Sequence, residues 1–199
     1  AVSKNMIVAD RRKLLNGNSF RLGVSGAGKS FSAKEEIVDL ALSTEDDILI
    51  LDPESEFTSL VEALNGEVIR ISATSDTHLN ALDMDAAYGD DKNPLIEKSE
   101  FILSLFEQLV GAGNLSAKEK SILDRCTADV YREYIRGGYR GQVPTLKDLY
   151  RELMAQPEEE ARGLALSSEL FINGSLNTFA QSTNVDTKSR IIDYDIREL

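Results

Sequence analysis

Gly23-Val24-Ser25-Gly26-Ala27-Gly28-Lys29-Ser30 is the stretch on which the reading of this chain turns. It fits the pattern G-x-x-x-x-G-K-S/T, which is short enough to arise by chance, so its surroundings matter more than the match itself. Upstream, Asn16-Gly17-Asn18-Ser19 is strong turn chemistry, and Phe20 to Val24 reads as a short strand running into the glycines. Downstream, Phe31, Ala33, Ile37, Leu40 and Ala41 keep helical spacing while Lys34, Glu35, Glu36 and Asp39 supply a polar side, which predicts a helix over residues 29–42. A strand, a glycine-rich turn and a helix N-terminus in that order suit a polyphosphate. The glycines let the backbone curl until successive N–H groups point inward, and the positive end of the helix favours an anion. On this geometry the amides of Ser25, Gly26, Ala27, Gly28, Lys29 and Ser30 hold the β-phosphate of ATP, the Lys29 ammonium reaches the β and γ oxygens, and the Ser30 hydroxyl ligates Mg2+. Phe31, next in the chain, joins the nucleotide-contact candidates. The plain alternative is a glycine-rich turn with no ligand.

Working outward, Ile48-Leu49-Ile50-Leu51 within Asp47 to Asp52 is a continuous apolar run of the kind found in parallel strands covered on both faces. A short helix over residues 55–64 stops at Asn65-Gly66, and residues 67–72 return as a strand, so the order is that of an α/β protein. After Asp83 the signals become helical. Leu95, Ile102, Leu105, Phe106 and Leu109 form one stripe, ended by Gly111-Ala112-Gly113. Ser116-Ala117-Lys118-Glu119 is a capping box opening a helix that runs to Ile135 and stops at Gly137-Gly138. Thr145, with Asp148 behind it, reads as another N-cap, and Pro157 with Glu158, Glu159 and Glu160 suits the first turn of a last helix. Residues 189–196, carrying Ile191, Ile192, Tyr194 and Ile196, read as a strand rejoining the sheet. The expected organisation is a P-loop NTPase core of RecA-like type, a parallel sheet flanked by helices, over residues 1–90, an inserted all-helical subdomain over 91–174, and a return to the core over 175–199.

Composition narrows the classes. The chain has 199 residues, 42% of them hydrophobic, enough for one sizeable core with a subdomain and no need of a disulfide or metal staple. Cys126 is the only cysteine, which excludes an internal disulfide framework and a thiolate cage and points to a reducing compartment. Ile122, Cys126, Val130 and Tyr134 recur at i, i+4, so the thiol is expected in a core rather than at a reactive site. His78 lies in a polar stretch and is expected on a surface loop. The net charge of −12, from 34 acidic and 22 basic residues, weighs against a generic nucleic-acid or anionic-lipid binder. No apolar run approaches the roughly 18 residues of a membrane span, and the N-terminus lacks a signal-peptide pattern, so a soluble chain is expected.

A second set of candidates lies in Asp52-Pro53-Glu54-Ser55-Glu56, at the C-terminal end of a parallel strand, where α/β proteins usually bind ligands. Asp52 or Glu56 there can hold Mg2+ through water or orient an attacking water. Equally, Glu54 and Glu56 can serve only the N-terminus of the next helix. Residues 48–52 are the first strand after the P-loop helix, which argues against reading them as a Walker B strand. Arg125 and Arg190 are possible phosphate-sensing arginines or ordinary ion-pair partners.

Residues 16–23, the P-loop with Phe31 and Lys34, and Asp52-Pro53-Glu54-Ser55-Glu56-Phe57 together resemble the type IV secretion and conjugative-transfer ATPases of VirB type, in the FtsK–HerA class of P-loop motors. Further matches are Asn80-Ala81-Leu82-Asp83-Met84, residues 119–126, Pro144 to Tyr150, Gly174 to Phe179, and Thr183 to Asp186. The resemblance covers nearly the whole chain, and its downstream matches are more specific than the P-loop. It implies an ATPase at the cytoplasmic face of a bacterial membrane, commonly a homo-oligomer, a hexamer, that powers a secretion channel alongside its channel and coupling proteins. It marks Gly28, Lys29 and Ser30 as phosphate and Mg2+ residues and leaves Asp52 and Glu56 as nucleotide-proximal acids. The family's Walker B strand, an apolar run ending in Asp-Glu, is expected beyond Leu199, which makes the chain a fragment with an incomplete core. An ABC-type ATPase fits less well, because residues 115–119 lack the glycines of that class's signature. Two further readings remain: a non-hydrolysing assembly module of the channel, and a DNA-pumping motor of the same class.

Overall fold

Residues 10, 13–89, 93–174 and 176–199 are described by a computed structural model, in which the chain divides into two compact units, Ala1–Asp46 and Asp47–Leu199. In the first, helix α1 spans Lys29–Ser43, as its spacing predicts, and stops where the Thr44 hydroxyl and backbone N–H both turn back to the Leu40 carbonyl at 2.9 and 3.0 Å. The Arg21 guanidinium pairs with Glu36 on this helix. The expected strand over residues 20–24 does not form: Phe20, Leu22 and Val24 are 90%, 93% and 80% exposed, and the segment has no regular structure. An extended segment becomes a strand only when a neighbouring ladder accepts its N–H and C=O groups, so the apolar composition of residues 20–24 does not suffice by itself.

The second unit is built on strands β1 (Ile48–Asp52), β2 (Glu67–Arg70) and β3 (Ile191–Asp195). Their order is β1-β3-β2, both pairings are parallel, and β3, last in sequence, is the central strand. Helix α2 (Thr58–Ala63) is followed by its C-cap Leu64 and then by Asn65, whose φ of 56° turns the chain sharply. Gly66 follows because the turn presses against β3: a Cβ there would lie 2.7 Å from the Ile191 carbonyl oxygen and from Val61 Cγ1. Strand β1 alternates where cover on both faces was expected. Ile48, Ile50 and Asp52 are buried, while Leu49 and Leu51 are 65% and 68% exposed. β1 is an edge strand, and the small apolar cluster of Ile69, Ile71 and Ile192 with Leu79, Phe179, Val185, Tyr194 and Ile196 gathers on β2 and β3 instead.

The helical region comprises α3 (Pro94–Val110), α4 (Ala117–Arg136), α5 (Leu146–Ala155) and α6 (Glu159–Ile172), followed by a one-turn 3-10 helix, Asn177–Ala180. Its core holds Phe106, Leu123, Tyr131, Leu149, Leu153 and Leu164, all essentially inaccessible to water. Burying each of the leucines contributes about 1.5–3 kcal/mol. The capping box at Ser116 forms, with Glu119 N–H on the Ser116 hydroxyl at 3.3 Å and Ser116 N–H on Glu119 Oε2 at 2.8 Å. Thr145 and Asp148 repeat it at the start of α5. Pro157 lies ahead of α6 rather than in its first turn, because Glu158 takes the N-cap position and leaves Glu159 and Glu160 to face the helix dipole.

The segment around Asn80 fastens this region to the sheet unit's loops. Asn80 Nδ2 donates to the Pro144 carbonyl at 2.8 Å, its N–H donates to the Thr183 hydroxyl at 2.8 Å, and the Tyr131 and Tyr134 hydroxyls donate to the carbonyls of Leu82 and Met84. Lys98 is buried there, its ammonium 4.0 Å from the centre of the Tyr88 ring. Burial, offset by the charge of Asp83, lowers its pKa to about 8.

Candidate functional site

The loop 25–28 is a turn whose shape depends on two glycines, Gly26 at φ 77° and Gly28 at φ 81°, in the left-handed region that L side chains avoid. Space does not demand glycine there, since a Cβ at either position would meet nothing within 4 Å; the backbone angle does. The Ala27 N–H closes the turn on the Val24 carbonyl at 3.2 Å. The exposed Lys29 side chain folds back over it, its ammonium donating to the carbonyls of Gly23 and Val24 at 3.0 and 3.1 Å.

Helix α1 starts at Lys29 with Gly28 as its N-cap, without a side-chain cap and without an acid in its first turn. Helices α3, α4, α5 and α6 each place an acid in theirs. The first amides of a helix have no intrahelical acceptor, and in α1 neither the N-cap nor the first turn supplies a side chain to them. An open loop, left-handed glycines and a lysine ammonium resting on carbonyls fit a phosphate group. Ser30 is half-buried in the first turn, and Phe31 is 74% exposed. Among the described residues no group of three or more His, Cys, Asp or Glu side chains is arranged to hold a metal ion.

The acids of the second candidate region are treated unequally. Asp52 is 1% exposed, and both its oxygens are engaged, Oδ1 accepting from Glu54 N–H at 3.1 Å and Oδ2 from Phe57 N–H at 2.8 Å. Glu54 and Glu56 are exposed on the loop so held. Two more carboxylates lie on the same sheet face, because Ile50 is in register with Asp193 and Asp52 with Asp195. Asp193 accepts from the Thr58 hydroxyl at 3.2 Å, and its other oxygen is buried without a hydrogen-bond partner among the described residues. Burial chiefly, with the charges of Asp52 and Asp195, raises its pKa, and the Thr58 hydrogen bond partly offsets this. Asp195 Oδ1 accepts from the Ser55 hydroxyl at 2.7 Å and from Arg197 N–H at 3.2 Å, and Arg70 Nε lies 3.5 Å from Oδ2.

Sequence reasoning missed Asp193, Asp195, Ser55 and Thr58. The available signal was two acids alternating within an apolar strand, but only the register with β1 brings them to the 53–57 loop. The remaining candidates fall outside this arrangement. Arg125 bonds Glu158 and Gln156 at 2.8 and 2.9 Å, and Arg190 accepts the Ile48 N–H through its carbonyl just before β3. Cys126 is buried in the helical core, which pushes its thiol up to about 11, as expected of a structural residue. His78 is half-buried, 3.3 Å from Gln181 through Nδ1. Ser175, part of one resemblance motif, lies outside the described residues.

The family model described as "Helicase HerA, central domain" matches residues 22–198. No match was found among curated proteins. Among solved structures, that of VirB4 of Thermoanaerobacter pseudethanolicus is similar to this chain, with 25% identity and a TM-score of 0.69 over 87% of this chain and 48% of that one. The chain thus spans about half the length of the VirB4 it matches.

Proposed function

This chain belongs to the family of the HerA helicase central domain, and from that premise we propose that it is the nucleotide-binding part of an ATP-hydrolysing motor subunit that energises a type IV secretion or conjugative DNA-transfer channel. The observation that carries the reading is the pair of left-handed glycines at φ 77° and 81° followed directly by a helix that starts at Lys29. The likeness to VirB4 supports the choice of channel.

In this reading the amides of Ser25 to Ser30 bind the phosphates of ATP, with Phe31 beside them. The Lys29 ammonium exchanges its two carbonyl partners for phosphate oxygens, and the Ser30 hydroxyl is the chain's Mg2+ ligand. Bound ATP with Mg2+ supplies a γ-phosphoryl group whose transfer to water releases the driving energy. Glu56, exposed on its loop, is assigned the orientation of water. Asp52, with both oxygens on backbone N–H groups, holds that loop.

The proposed organisation is a core over residues 1–90 and 175–199 with a helical subdomain over 91–174. The proposed setting is a hexamer at the cytoplasmic face of a bacterial membrane, in contact with channel and coupling proteins. No helix among the described residues is long and apolar enough to cross a membrane.

Steady-state ATP turnover of the full-length protein tests the reading. Lys29→Ala is expected to lower it by about 10²–10³-fold, as for removal of other charge-stabilising donors. Turnover that ignores this substitution contradicts hydrolysis at the P-loop and favours a non-hydrolysing assembly module. The family description as a helicase favours a second reading, a DNA-pumping motor. Its mark is DNA binding that weakens steeply with salt, against which the net charge of −12 weighs.

A further inference from the structure

We infer that Asp195 is a positioning residue for the loop 53–57, acting through its hydrogen bond with the Ser55 hydroxyl to fix where Glu56 is presented; this rests on the ATPase reading of Glu56 given above.

Three buried carboxylates converge on one short loop. Asp52 takes the N–H groups of Glu54 and Phe57, Asp195 takes the hydroxyl of Ser55, and Asp193 takes the hydroxyl of Thr58. The loop is therefore pinned at residues 54, 55, 57 and 58, and the acids it leaves exposed are Glu54 and Glu56. Burying like charges side by side is costly, and apolar residues at the same positions would serve stability better. Asp193 shows the cost directly, with one buried oxygen that has no hydrogen-bond partner among the described residues and a raised pKa.

Ser55 is where the loop needs holding most. Its φ of 56° is left-handed, a strained conformation for a residue with a Cβ. The 2.7 Å bond to Asp195 Oδ1 is of the short, charge-assisted kind and fastens this residue to a strand 140 positions away. Asp52 acts on its own strand's continuation, whereas Asp195 ties the loop to the central strand and, through Arg197 N–H, to the segment after it.

The test uses the full-length protein with Lys29→Ala as reference, measuring kcat and KM for ATP together with hydrogen exchange at the loop amides. Asp195→Asn keeps the shape and removes the charge. Ser55→Ala removes the hydroxyl and keeps the strain, and Ser55→Gly removes both. Asp195→Asn and Ser55→Ala are each expected to lower kcat about tenfold or more with KM little changed, since small misplacements at a reacting centre are costly. Glu54 and Phe57 amides should exchange faster in both variants while those of α4 stay protected. Ser55→Gly should recover part of the kcat lost in Ser55→Ala, and adding Asp195→Asn to it should change little.

Wild-type kcat in both Asp195→Asn and Ser55→Ala, beside an inactive Lys29→Ala, overturns the positioning role and leaves the ATPase reading standing. So does a rise in KM with kcat preserved. An active Lys29→Ala overturns the ATPase reading instead, and the exchange of Glu54 and Phe57 then decides alone whether Asp195 holds the loop. Should Asp195→Asn fail to fold, the two Ser55 variants decide.

Discussion

Helices α1 and α4 are both amphipathic in sequence, yet α4 buries Ile122, Leu123, Cys126, Thr127, Tyr131 and Tyr134 whereas α1 buries no residue. Their starts differ as much. α4 opens on a capping box in which Ser116 and Glu119 satisfy each other's backbone donors, and α1 opens on a bare glycine with no acid in its first turn. The difference separates two ways of specifying structure. In the helical region packing and caps use up the polar groups, and the shape is held by a core. At the P-loop two backbone angles set the shape, and the donors that are engaged, Ala27 N–H and the Lys29 ammonium, rest on carbonyls of the same loop.

The largest expected effect falls on the packed side. Leu123 is wholly buried, so Leu123→Ala should lower the unfolding free energy by about 2–5 kcal/mol, read from denaturant midpoints. Lys29→Ala should invert that pattern. Its 10²–10³-fold loss of turnover corresponds to about 2.7–4 kcal/mol of transition-state stabilisation, while the unfolding midpoint stays at the wild-type value because Lys29 is exposed. A parallel drop in stability would break the comparison.

Lys98 sharpens it by pH. Its pKa falls from 10.5 to about 8 in the folded state, chiefly through burial, with Asp83 opposing. Below about pH 8 both states carry the proton and the cost of the buried cation is fully present. Between about 8 and 10.5 the folded state gives the proton up first, so stability rises with pH over that window. Lys98→Met should raise stability at pH 7 by about 1–3 kcal/mol and flatten the rise. Unchanged pH dependence of the unfolding midpoint in that variant would contradict the burial account. The smallest effect is that of Gly28→Ala. With φ at 81° and open space around the would-be Cβ, it should cost only the strain of a left-handed alanine, about 1–2 kcal/mol. The loss should appear as weaker nucleotide binding rather than global unfolding.

The sequence made legible what neighbours along the chain decide. Ser116 and Glu119, Thr145 and Asp148, Asn65-Gly66 and the glycine at 111 mark helix and turn ends through contacts within a few residues, and each appears where expected. The turn at Gly26 and Gly28 and the helix start at Lys29 belong with them, because glycines take left-handed angles locally. What failed depends on partners far away in sequence. Residues 20–24 have the composition of a strand but no regular structure, and Leu49 and Leu51 have the composition of a covered face yet are exposed among the described residues. Asp193 and Asp195 read as ordinary alternation until the parallel register sets Asp195 beside Asp52, and nothing in Pro53-Glu54-Ser55 announces a left-handed serine. Pro157 misled for a smaller reason, since the N-cap position falls on its neighbour Glu158, which places the first turn of α6 one residue further on.

Hydrogen exchange of the full-length protein with and without Mg-ATP, read amide by amide over residues 25–30, tests the nucleotide site most directly. Slowed exchange at Ser25 to Ser30, lost in Lys29→Ala, is the predicted result. Identical exchange at those amides under saturating Mg-ATP would contradict it, whatever protection appears elsewhere in the chain.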